Sequence, residues 1–122
     1  MGALLLDDKV RAGGKLFDEG HFFEAHEAWE GHWVVEEDAQ HRVLLQGLIQ
    51  IAAAFHKLID RNAPEPAASL FAKGLAKLDA CPGRIDGVDI SSFREAVRVC
   101  AMKAKAGGFD RAKVPKFRYD RS

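Results

Sequence analysis

The stretch from Ala39 to Asp60 leaves this chain few choices of fold. Leu44, Leu48, Ile51, Phe55 and Leu58 recur at three- and four-residue steps and make one stripe of a helix. Leu45, Ile49, Ala52 and Ile59 widen that stripe past half the girth. A helix apolar over so much of its surface must be covered on several sides. The pattern therefore predicts a central helix in an all-α bundle, with Asp38 as its N-cap.

Other helical segments fit around it. The first spans about Leu5 to Glu19, is weakened by Gly13-Gly14 and is stopped by Gly20. The second spans about Phe22 to Glu36, with Phe22, Ala25, Trp29 and Trp33 on one face. Either proline of Asn62-Ala-Pro-Glu-Pro suits the start of a fourth, which runs to about Ala80 with Leu70, Phe71, Gly74, Leu75 and Leu78 on one face. A fifth spans about Ser92 to Ala106, where Ser92 and Glu95 fit a capping box. Its buried stripe is Phe93, Val97, Cys100, Ala101 and Ala104. No alternating strand pattern stands out. Residues 1–106 are thus expected to form a single-domain bundle of about five helices, helix packed on helix. Residues 107–122, after Gly107-Gly108 and with Pro115 inside, are expected to form an extended C-terminal tail. Its Phe109, Val114, Phe117 and Tyr119 are placed to lie on the bundle or on a neighbouring subunit.

Composition narrows the function classes. At 122 residues the chain is long enough to bury a core without disulfides or structural metal. Its 18 Lys and Arg balance 18 Asp and Glu. That balance argues against nucleic acid and against an anionic membrane surface as partners. No run reaches the roughly 20 apolar residues of a membrane span. The apolar run Ala3–Leu6 is short and is followed by Asp7 and Asp8, the wrong length and sign for a signal peptide. Cys81 and Cys100 form no C-x-x-C, so two buried reduced thiols and a cytoplasmic location are expected.

The chemistry is concentrated between Phe22 and Trp33. Projected at about 100° per residue, His26 falls on the apolar stripe with Trp29 and Trp33. Glu30 and Glu27 fall on its flank, and His26 and Glu30 are four apart, close enough to touch. A buried pair of this kind needs compensation, since breaking one costs about 3–5 kcal/mol. The central helix offers Gln46 and Gln50, four apart, and His56 further along. An antiparallel hairpin of the second and third helices brings one glutamine within reach of His26 and Glu30. His21 and His41 sit near helix starts, and Glu36-Glu-Asp38 reads as a solvated helix end.

Phe23-Glu-Ala-His-Glu27 with Glu30 and Trp33, then Gln46-Gly-Leu-Ile-Gln50 and later Gly87-Val-Asp-Ile90, resemble the hallmarks of domain-of-unknown-function family 309. Phe17 and Gly20 also fit, and the resemblance spans about residues 5 to 105. It implies a compact all-helical bundle, labelled in some catalogues a predicted metal-dependent hydrolase, with no assigned catalytic residues to carry over. The chain departs from the family at Arg61-Asn-Ala-Pro-Glu-Pro-Ala67, where members carry Gly-Asn and then Gly-Ala.

Three readings follow. In the first, the chain is a non-catalytic bundle that associates as a homodimer, with His26, Glu30 and a glutamine as a closed polar network. In the second, it is a metal-dependent hydrolase. His26, Glu30 and His56 then hold zinc, manganese or iron, and Glu27 is the base toward a bound water. Against this, His-Glu-x-x-Glu is not the zinc pattern His-Glu-x-x-His. In the third, Trp29 and Trp33 line an apolar pocket, and His26, Gln46 and Gln50 orient a small molecule.

Overall fold

The central helix is in place, and its start is fixed by the expected cap. A computed structural model describes residues 6–119, so Leu5, most of Ala3–Leu6 and the end of the tail lie outside the described residues. The elements in chain order are α1 (Leu6–Asp18), α2 (Phe22–Trp33), α3 (Ala39–Phe55), a π-helical turn (His56–Asp60) and α4 (Pro64–Asp79). A two-stranded hairpin, β1 (Arg84–Ile85) and β2 (Val88–Asp89), then leads to α5 (Ile90–Lys105) and a 3-10 turn (Arg111–Lys113). The Asp38 carboxylate accepts the His41 N–H at 2.9 Å. That bond satisfies a donor the helix itself leaves open.

α3 packs between α2 and α4. Against α4 the backbones nearly touch: a Cβ built on Gly74 would lie 3.1 Å from the Gly47 carbonyl oxygen. Together with the π turn, Ala39–Asp60 is 22 residues long and apolar enough to span a membrane. This corrects the expectation that no run reaches that mark. Half of its most apolar 18 residues are buried inside the bundle, the position of a core helix.

α1 runs antiparallel to α2. Its Gly13 is a packing requirement as well as a weak point, because the Trp29 indole lies where a side chain would stand. α2 ends at Trp33, short of the expected Glu36. Arg42 explains the stop: its guanidinium donates to the carbonyls of Trp33 at 2.9 Å and Glu36 at 3.0 Å, and covers the Trp33 ring. Glu36 is also not solvated. It pairs with Lys9 and accepts the Asp38 N–H. Burial alone would raise its pKa. The Lys9 hydrogen bond, the Asp38 N–H and the charges of Lys9 and His41 outweigh burial and hold it below the usual carboxylate value.

α4 starts at Pro64, with Pro66 two positions on and no side-chain cap. Neither proline carries an N–H, so the first turn has fewer open donors to satisfy. The hairpin was not expected, because two-residue strands show no periodicity. Its turn residues Asp86 and Gly87 have φ of 47° and 85°, the left-handed pair that a tight two-residue hairpin turn requires. α5 begins at Ile90 rather than Ser92. Asp89 is the cap, accepting from the Ser92 N–H at 3.0 Å and hydroxyl at 2.8 Å, so the Ser92–Glu95 box does not form. Arg94 closes the far end of α4 by donating to the carbonyls of Leu78 and Cys81.

The described part of the tail lies on its own bundle. Phe117 is buried, stacks on Phe93 at 4.2 Å between centroids and meets Phe17 and Trp29. Tyr119 bridges to Val88. Cys81 and Cys100 are buried free thiols, and burial pushes both pKa values up.

Candidate functional site

α2 and α3 form the expected antiparallel hairpin. At one end the Phe23 ring lies 5.3 Å from that of His56, and at the other Arg42 sits 4.5 Å above Trp33. Between these contacts the register runs His26 alongside the turn that carries Gln50, and Glu30 alongside the turn that carries Gln46.

The two tryptophans part company. Trp29 is fully buried, and its Nε1 donates to the Val10 carbonyl at 3.0 Å. Trp33 is half-buried beneath Arg42. Neither lines any of four surface cavities of about 230 to 410 Å³, nor does His26, Gln46 or Gln50. The pocket expected between the tryptophans is therefore not at any of these openings, because α1 and Phe117 fill the space around Trp29.

His26 is half-buried, with its ring stacked on Phe23 at 5.8 Å. Its Nδ1 is buried without a hydrogen-bond partner, and so is Gln50 Oε1. These are complementary groups: an imidazole protonated at Nδ1 donates, and an amide oxygen accepts. Buried polar atoms are nearly always satisfied, directly or through water, so these two mark one unpartnered polar group on each side of the α2–α3 seam. Gln46 is half-buried on the same helix.

Glu30 stays outside this seam. Its side chain is exposed and makes no hydrogen bond or ion pair among the described residues, so no His26–Glu30 hydrogen bond forms. Glu27 is exposed too. His56 is engaged elsewhere: its Nδ1 lies 2.9 Å from Asp60 Oδ2 across the π-helical turn. No three His, Cys, Asp or Glu side chains gather as a metal site among the described residues. His26, Glu30 and His56 are thus not brought together. Sequence reasoning missed two participants. Asp60 was visible only as a carboxylate four residues after His56. Phe23 gave no sign that it would stand 47% exposed between two imidazoles.

A direct consequence concerns stability. His26→Ala removes a half-buried ring stacked on Phe23, so a loss of about 1–3 kcal/mol is expected. Glu30→Ala should change stability by less than about 0.5 kcal/mol. Urea unfolding of both variants checks this. A large loss in Glu30→Ala would mean that Glu30 does close the network.

Charge on this face is divided. Glu24, Glu27 and Glu30 are exposed along α2, while Lys57 and Arg61 lie at and just beyond the π turn. None of the five makes an ion pair among the described residues.

A family model described as "Domain of unknown function (DUF309)" matches residues 10–70, a span that holds the whole α2–α3 face. A protein of Aquifex aeolicus (strain VF5), described as "Uncharacterized protein", is 27% identical over 78 residues. The match covers 64% of this chain and 23% of that protein, so the chain spans under a quarter of the relative's length.

Proposed function

We propose that this chain, which belongs to the DUF309 family, is an association module that pairs with a second copy of itself through its α2–α3 face. The observation that carries this reading is Phe23, 47% exposed at the end of the face where α2 begins, with Glu24, Glu27 and Glu30 along α2 and Lys57 and Arg61 beside the π turn. A two-fold axis through such a face lays Glu24, Glu27 and Glu30 of one copy near Lys57 and Arg61 of the next. The same surface then serves both subunits, the commonest arrangement in soluble homodimers. An exposed aromatic ring ringed by polar groups is the usual anchor of such a contact. The hydrolase reading draws less support, because its three ligands stand apart. The ligand-pocket reading draws less support because Trp29 is packed in the core. Cys81 and Cys100, kept as thiols, suit a reducing cytoplasm.

Analytical ultracentrifugation tests the pairing. A dimer is expected at micromolar concentration, weakened about tenfold or more in Phe23→Ser. Glu27→Lys and Lys57→Glu should each weaken it, and the two together should recover part of the loss. A wild-type chain that stays monomeric, or a dimer indifferent to all three changes, removes the reading.

A further inference from the structure

On the far side of the bundle, α4 and α5 leave a groove. A cavity of about 410 Å³ is lined by Ala67, Ala68, Phe71, Ala101 and Ala104, with Lys105 at its rim. It shares Ala104 and Gly107 with a neighbouring cavity of about 360 Å³ that reaches Leu58, Phe109 and Arg111. The two make one trough along the last turns of α5. Ala67, Ala68, Ala101 and Ala104 line the part between α4 and α5, and small side chains let another helix approach to the usual spacing of roughly 8–10 Å between axes.

The charge beside the trough is one-sided. Lys105 and Arg111 line it, while Glu65 is the acidic residue in its lining. Lys105 and Arg111 make no ion pair among the described residues. In a chain with no net charge, this leaves a local excess of cations next to apolar surface. Met102, 66% exposed, extends that surface along α5, and methionine adapts its shape to what it meets.

We propose that the α4–α5 trough receives an amphipathic helix of another protein, apolar on the edge it buries and flanked by carboxylates. The apolar floor takes the buried edge, as in helix-in-groove recognition. Lys105 and Arg111 face the carboxylates and set the preference for an acidic partner. The trough meets the α2–α3 face at the π turn, where Leu58 lines it, but its floor between α4 and α5 is separate, so Ala68→Glu tests it independently of the pairing proposed above.

The test uses the full chain and a labelled helical peptide of about four turns, with leucine on one edge and glutamate on its flanks. A second peptide replaces glutamate with lysine. Fluorescence anisotropy should show saturable binding of the acidic peptide, at least about tenfold tighter than the lysine version and weakened by salt. Ala68 is exposed in the groove, so Ala68→Glu should fold, as circular dichroism will verify, and bind about tenfold more weakly or worse. Lys105→Glu should reduce the preference for the acidic peptide. Absence of saturation, equal binding of both peptides, or binding unchanged in Ala68→Glu overturns the proposal. Self-association that disappears in Ala68→Glu also overturns it, by assigning the trough to a second copy.

Discussion

Trp29→Ala is expected to cost about 3–5 kcal/mol of stability, a fall in Tm of roughly 10–20 °C for a chain of this size. The indole is fully buried, meets Phe17 and Phe117, and donates its one N–H to the Val10 carbonyl. Truncation opens a cavity and removes that donor together. α1 is shaped to the same ring: a Cβ on Gly13 would lie 2.5 Å from Trp29 Cε2. Gly13→Ala is therefore destabilising alone, although alanine is the better helix former. In the Trp29→Ala background the added methyl enters the vacated space. The double-mutant cycle, read by chemical denaturation, should show a coupling of at least about 1 kcal/mol in the compensating direction. Additive losses would show that Gly13 is not there for the ring. A small loss in Trp29→Ala would return Trp29 to the role of a surface platform.

The helices that were plain in the sequence are those whose signal is local. Asp38 caps α3 as its position before the apolar stripe requires, and the stripe itself, from Leu44 to Phe55, is buried. The Phe22–Trp33 segment shows where local reasoning stops. Projection onto a helical wheel placed Trp29, His26 and Trp33 on one stripe, but not which neighbour covers which part of it. α1 closes over Trp29 through Gly13, Arg42 folds back over Trp33, and Glu30 on the flank is left in water. The polar seam was legible as residue types, in His26 and Gln50, and illegible as a set of contacts. At α5 two plausible caps compete, Asp89 and Ser92. The choice is tertiary: the Gly83 carbonyl accepts the N–H groups of both Ile90 and Ser91, which fixes the earlier start. The π turn at His56–Asp60 has no sequence signature of this kind. It packs against α4.

The second large effect is expected at a residue that the sequence places outside the bundle domain. Phe117→Ala should cost about 3–5 kcal/mol, the range for a phenylalanine removed from a core. The ring stacks on Phe93 at 4.2 Å and touches Phe17 and Trp29, so it sits among side chains from α1, α2 and α5. Asp18 holds the backbone at the same point: its carboxylate accepts the Phe117 N–H at 3.3 Å and its carbonyl accepts from Lys116 at 2.9 Å. The tail therefore closes the seam between the first and last helices, and the core stays incomplete until residue 117 is in place. The loss should be the same at every protein concentration, because these contacts are made within one chain. Urea unfolding of Phe117→Ala at two concentrations far apart measures both points. A loss below about 1 kcal/mol would make the tail an appendage of a self-sufficient bundle. A loss that grows on dilution would place Phe117 in the core of a neighbouring subunit instead.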